Sequence, residues 1–135
     1  MTPGTIFIDQ NFIFHDGDIG NKILISLGYK SGVTVVVKAT SKGHRYNAKF
    51  GCQALDRFPN FHLVQNCCVL SKPTWICLNE FYEFNVGKLI QKHFDGAIKQ
   101  IGKLSDAITV DLIACALDAD DITPNQIEIL KHIMD

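Results

Sequence analysis

From Thr5 to Phe84 the chain offers only short β-rich segments separated by turn residues, and from Asn85 onward only helical ones. That order excludes a parallel α/β fold, which needs a helix between successive parallel strands. TIFI at 5–8 follows Pro3-Gly4 and predicts an opening strand, and ILISL at 23–27 predicts a buried one. Between them, HDGDIGN places two glycines and two aspartates in seven residues, and a loop with no regular element is expected. TVVVKAT at 34–40 is the strongest strand signal and runs into the polar turn SKGHR. RYNAKF at 45–50 alternates weakly, and FHLV (61–64) and CCVL (67–70) flank Gln65-Asn66 like the arms of a hairpin. TWICL (74–78) and the aromatic FYEF (81–84) complete a set of six or seven short strands, which predicts a small β-barrel or a strongly bent sheet.

The C-terminal third predicts two or three helices. Asn85 can cap a short one in which Leu89, Ile90 and Phe94 share a face, ending near Gly96. Ser105 caps a second, with Ile108, Leu112 and Cys115/Ala116 at helical spacing. In the third, Thr123 is the N-cap, Pro124 the first helical residue and Gln126 the partner of a capping box, with Ile122 and Ile127 placed as a hydrophobic staple. Its stripe of Ile127, Leu130 and Ile133/Met134 needs a surface to cover, and the strand region is the large one available. With 135 residues, 47% of them apolar, the chain is expected to form one domain over 1–135, with 120–135 as a C-terminal helical extension.

The net charge of −1 selects no partner, but its distribution is uneven. Residues 21–57 carry seven Lys or Arg against one acid, Asp56, whereas residues from Asn79 onward carry ten acids against five lysines. A phosphate-binding surface beside a differently charged one would produce this pattern, and so would a solvated basic face. Neither an apolar run long enough for a membrane helix nor a signal-peptide pattern is present, so a cytoplasmic protein with no membrane partner is expected. Five cysteines (Cys52, Cys67, Cys68, Cys77, Cys115) without CxxC spacing are expected to be reduced thiols, mostly buried in strands. A zinc site drawn from Cys52, Cys67, Cys68 and a histidine lacks ligand spacing.

Two loops are rich in groups that handle phosphate: 15–22, with His15, Asp16, Asp18 and Lys22, and 40–45, with Thr40, Ser41, Lys42, His44 and Arg45. If the strands starting at Ile23 and ending at Ala39 are antiparallel neighbours, both loops meet at one mouth. RNA cleavage through the 2′-hydroxyl needs a base, an acid and donors for the phosphorane, and it needs no metal or other cofactor. Lys22, Lys42 or Arg45 could neutralise charge, Thr40 and Ser41 could donate hydrogen bonds, and His15 or His44 could carry protons. The same residue types also make ordinary exposed turns. Among Phe58, Phe61, Trp75, Phe81, Tyr82 and Phe84, one or two exposed rings could stack RNA bases, while Trp75 is expected to be buried.

PGTIFI, HDGDIGNKILISLG, VVVKATSKGHRY, TWICLNEFYEF and GAIKQIGKLSDAITVDLIACAL, in that order, resemble the elements of the MazF/PemK (Kid) toxin family over most of the chain. The resemblance implies an SH3-like barrel with added helices. It also implies a homodimer that cleaves single-stranded RNA (mRNA) without metal and is inhibited by an antitoxin protein. Thr40 falls at the family's catalytic threonine, with Ser41 beside it; His15, Asp18, Lys42 and Lys49 would contact RNA. Where the family has an Arg-Pro pair, this chain reads Asn21-Lys22, and lysine keeps the charge but not the planar two-pronged contact. Three alternatives follow: Lys22 substitutes, Arg45 or His44 supplies the group, or nuclease activity is lost. In the last case the chain would be a non-catalytic, CcdB-like toxin or binding module acting by protein contact.

Overall fold

The computed structural model describes residues 1–14, 16–43, 46, 49–65 and 68–134, with only the backbone for 132–134. The chain runs β1 (Thr5–Ile13), β2 (Ile19–Lys30), β3 (Val33–Thr40), β4 (Gly51–Gln53), β5 (Asn60–Leu63), β6 (Thr74–Cys77), β7 (Tyr82–Asn85), α1 (Val86–Phe94), β8 (Ile98–Lys103), α2 (Asp106–Leu117) and α3 (Pro124–Met134). All strand pairs are antiparallel, in one eight-stranded sheet of order β4-β5-β6-β3-β2-β1-β8, with β7 on β3. Thus the fold is mainly β with C-terminal helices, and no pairing among the described residues joins β4 to β8.

β3 organises this sheet. One of its edges pairs with β2 along almost its whole length. The other is divided, Val33–Val36 pairing with β7 and Ala39-Thr40 with β6. A strand buried on both faces reads as a continuous apolar run rather than an alternation. Val35 and Val37 enter a core beneath α2 and α3 with Ile25, Leu27, Ile76, Leu112 and Leu130. Val36 points the other way, into a cluster with Phe7, Phe12, Leu24 and Phe84.

The helices start where their caps predict. Asn85 accepts from Lys88 N at 2.7 Å, and Ser105 accepts from Ile108 N at 3.2 Å. Thr123 and Gln126 exchange bonds reciprocally at 3.0 and 3.1 Å. α3 packs on β2 through the buried Ile129 and Leu130; the expected stripe omitted Ile129.

Five local expectations are corrected. The chain after Asn85 is not only helical, because Ile98–Lys103 forms β8 on the edge of β1. β1 and β2 reach beyond 5–8 and 23–27 into the expected loop, Phe12 and Ile13 pairing with Gly20 and Ile19, because a bulge after Asp9 resets the register. The hairpin expected of 61–64 and 67–70 is absent among the described residues: β5 takes β4 and β6 as partners, and Leu70 turns into the core while Val69 packs against Gly102, with Asn66 and Cys67 outside the described residues. Residues 45–50, as far as they are described, contribute no strand, and that role passes to Gly51–Gln53. Finally, Cys52 is bonded to Cys115, so these two are not reduced thiols. A sequence separation of 63 residues hides such a pairing from spacing rules, because it is created by α2 packing on β4.

One charge is placed deep in this framework. Asp9 is 0% exposed, and its carboxylate accepts from Lys92 Nζ of α1 at 2.7 Å and from Asn11 N at 3.0 Å. Lys92 also donates to Asn11 O at 3.2 Å, so the pair ties α1 to the bulge in β1. Removing one member of a buried pair leaves the other charge without compensation. Lys92→Met is therefore expected to destabilise the protein by about 3 kcal/mol in urea unfolding. In the Asp9→Asn background the same substitution is expected to cost much less.

Candidate functional site

The face of the sheet that begins with Phe7, Leu24 and Val36 changes character toward the end of β3. Register explains the change. Ile23 pairs with Ala39, and both face the helices' side of the sheet. One step further along each strand, Lys22 and Thr40 are neighbours on the opposite face, because side chains alternate. Lys38 stands on that face opposite Leu24, and Trp75 opposite Thr40, with Cys77 two residues beyond Trp75. The expected convergence of the Lys22 and Thr40 segments is therefore present.

Three lysines meet there. Partial burial holds the Lys22 ammonium below its ordinary value of 10.5, and the like charges of Lys38 and Lys42 push the same way, partly offset by the nearby Cys77. Lys42 is brought back over the strand end because its backbone N–H donates to Thr40 Oγ1 at 3.1 Å. Lys38 pairs with Glu80 at 3.2 Å. Glu80 in turn accepts a short hydrogen bond from Tyr82 Oη. Burial, then that bond, then the carboxylate's charge raise the Tyr82 phenol far above its ordinary value, so it remains a neutral donor.

An aromatic wall bounds the cluster. Trp75 is 9% exposed and stacks on His62 at 4.5 Å, while His62 Nδ1 lies 3.1 Å from Thr74 O. Tyr46 stacks beyond Trp75 at 6.2 Å, and its hydroxyl is 3.4 Å from Cys77 Sγ. Phe58 packs edge-on to Tyr46, with the Arg57 guanidinium 5.4 Å above the Phe58 ring. Gly43 lies directly on the indole, where a Cβ would collide with the six-membered ring. Behind Thr40, a cavity of about 240 Å³ is lined by Ser41, Ser71, Lys72 and Thr74 over a floor of Ile23, Ala39 and Leu70.

The structure thus brings together Lys22, Thr40, Ser41 and Lys42. Asp18 stays at the β1–β2 turn, its N–H bound to Asp16 Oδ1, four residues and roughly 13 Å of extended chain from Lys22. Lys49 precedes β4, its carbonyl accepting from Gln53 Nε2 at 3.2 Å. His15, His44 and Arg45 lie outside the described residues. Sequence reasoning missed Lys38, Glu80 and Tyr82 as members of the site. The signal available was Lys38 interrupting an apolar strand two residues before Thr40.

Gly43→Val is expected to lift the 41–43 turn from the indole. Trp75 is the chain's single tryptophan, so its emission reports the change directly. The variant should fluoresce to the red and be quenched more readily by acrylamide than the wild type, with the unfolding midpoint little changed because the turn lies outside both cores. No family model, curated protein or solved structure matches the chain.

Proposed function

We propose that the chain is the toxin of a toxin–antitoxin pair of the MazF/PemK kind. In this reading it is a cytoplasmic, metal-independent endoribonuclease that cleaves single-stranded RNA by 2′-hydroxyl attack. Its sheet corresponds to the SH3-like barrel of that family, and a homodimer and an inhibiting antitoxin are its partners. The observation that carries the reading is the convergence of Lys22, Lys38 and Lys42 on Thr40 beside an aromatic wall.

The partly desolvated Lys22 ammonium, with Lys38 and Lys42 beside it, would attract a phosphodiester more strongly than an isolated lysine does, since an anion relieves the like-charge repulsion on Lys22. Thr40 and Ser41 supply hydroxyls to the non-bridging oxygens. Glu80 and Tyr82 offer a carboxylate and a phenol for proton transfer. In this arrangement Lys22 and Lys38 together compensate for the absent arginine by charge, without its planar geometry. The acids of α2 and α3 lie on the opposite side of the sheet, leaving this face cationic.

A second reading, a toxin acting by protein contact, draws on a different surface. α1 buries no residue; Val86, Ile90 and Phe94 are exposed, Phe94 to 83%, beside a groove of about 500 Å³ bounded by Met1, Leu89 and Ile98. Such a face suits a protein partner.

Incubation with single-stranded RNA in EDTA separates the two. The nuclease reading expects fragments ending in a cyclic phosphate, with Thr40→Ala and Lys22→Ala each lowering the rate by about 100-fold. Intact RNA together with retained toxicity in cells would reject it in favour of the contact reading. Because the Lys22 ammonium loses its proton below 10.5 in the folded protein, RNA affinity should start to fall at a lower pH than an exposed lysine would dictate. Lys22→Arg should remove that part of the fall, as measured by fluorescence anisotropy at fixed ionic strength.

A further inference from the structure

We propose that the Cys52–Cys115 disulfide is a thiol–disulfide exchange site for small dithiols and that its redox state sets the order of the turn over Trp75. The inference does not depend on the nuclease reading.

Four observations carry it. The bond joins the middle residue of β4 to α2, and β4 is a three-residue strand at the end of the sheet order, paired only with β5. So short an edge strand has little sheet pairing of its own to keep it in place. The two sulfurs also differ in access. Cys52 is an exposed residue, whereas Cys115 is 2% exposed, and open cavities of about 710 and 280 Å³ adjoin Cys52. The 280 Å³ cavity also borders Cys115, whereas the larger one borders Cys52 and not Cys115, so Cys52 is the more open side for an approaching thiolate.

Reduction leaves no stranded donor, because Cys115 Sγ lies 4.0 Å from the carbonyl of Asn60, which a thiol can use as acceptor. Finally, β4 follows along the chain the described residues that cover Trp75: Gly43 lies on the indole, and Tyr46 stacks against it.

The chemistry balances with a dithiol as reductant. Its thiolate attacks Cys52 Sγ, the S–S bond breaks, and the Cys115 thiolate departs and takes a proton. The reductant's second thiolate then attacks the mixed disulfide, releasing Cys52 as a thiol. Two electrons and two protons pass to the protein, and the reductant leaves as a cyclic disulfide. Once freed, β4 keeps its ladder to β5 and its packing on α2 but loses its covalent tie, and with it the fixed point that follows Gly43 and Tyr46 along the chain.

The test uses the full chain titrated with dithiothreitol at neutral pH without denaturant. Alkylation with peptide mapping identifies the new thiols, and acrylamide quenching follows Trp75. Cys52 and Cys115 should become labelled together, with at least a twofold rise in the quenching constant and retained far-UV circular dichroism. The Cys52→Ser/Cys115→Ala double variant should show the raised quenching from the start and no response to dithiothreitol.

The proposal is overturned if the pair reduces only in denaturant, if reduction leaves Trp75 quenching unchanged, or if reduction unfolds the whole chain. RNA assays on the oxidised and reduced forms answer a separate question. Absence of cleavage in both forms would remove the nuclease reading and leave the exchange site standing.

Discussion

The divided edge of β3 is the constraint on which the remaining architecture depends. A strand has two hydrogen-bonding edges, and β3 satisfies one with β2 and shares the other between β7 near its start and β6 near its end. Serving two partners on one edge directs β7 and β6 to different ends of the strand. The end served by β6 is where Thr40, Trp75 and Lys22 meet. If the β7 pairing had continued along β3 in the same register, Thr40 would stand opposite Leu78 instead of Trp75. The valine run makes this possible, because both faces of β3 are covered and neither needs solvent.

The two faces then take different roles. The helices' side is an ordinary apolar core closed by α2 and α3. On the other side, the phenylalanine cluster gives way to lysines within two residues along β2 and β3, since Leu24 and Lys22, and Val36 and Lys38, are successive positions on one face. Apolar neighbours strip water from Lys22, and Lys38 and Lys42 add like charge, so the cluster is an electrostatic load that the fold offsets only in part, through the Lys38–Glu80 pair. Asp9 shows the contrasting case. It is fully buried and fully compensated by Lys92 and Asn11, and its role is structural.

Much of the fold was legible because the signals were local. The strand at 34–40 follows from its valines, and the three helix starts follow from Asn85, Ser105 and Thr123, whose side chains act within three residues of their own positions. Thr40, Ser41, Lys42 and Lys22 were identified by residue type and by the single assumption that β2 and β3 are antiparallel neighbours, which the register satisfies. Lys38, Glu80 and Tyr82 were not. Lys38 read as one polar residue in a buried strand, and Glu80 and Tyr82 join it only because β7 is brought alongside β3.

The sequence by itself determined where the helices begin, which residues are apolar enough to be buried, and which turns are rich in basic and hydroxyl groups. These are properties of neighbours along the chain. Tertiary structure alone decided that β5 pairs with β4 rather than with the segment after Gln65-Asn66. It also decided that Cys52 meets Cys115 across 63 residues and that Gly43 is pressed onto Trp75. Each of these is a contact between segments whose separation along the chain is unrelated to their separation in space, and packing the sheet and helices around the core is what brings them together.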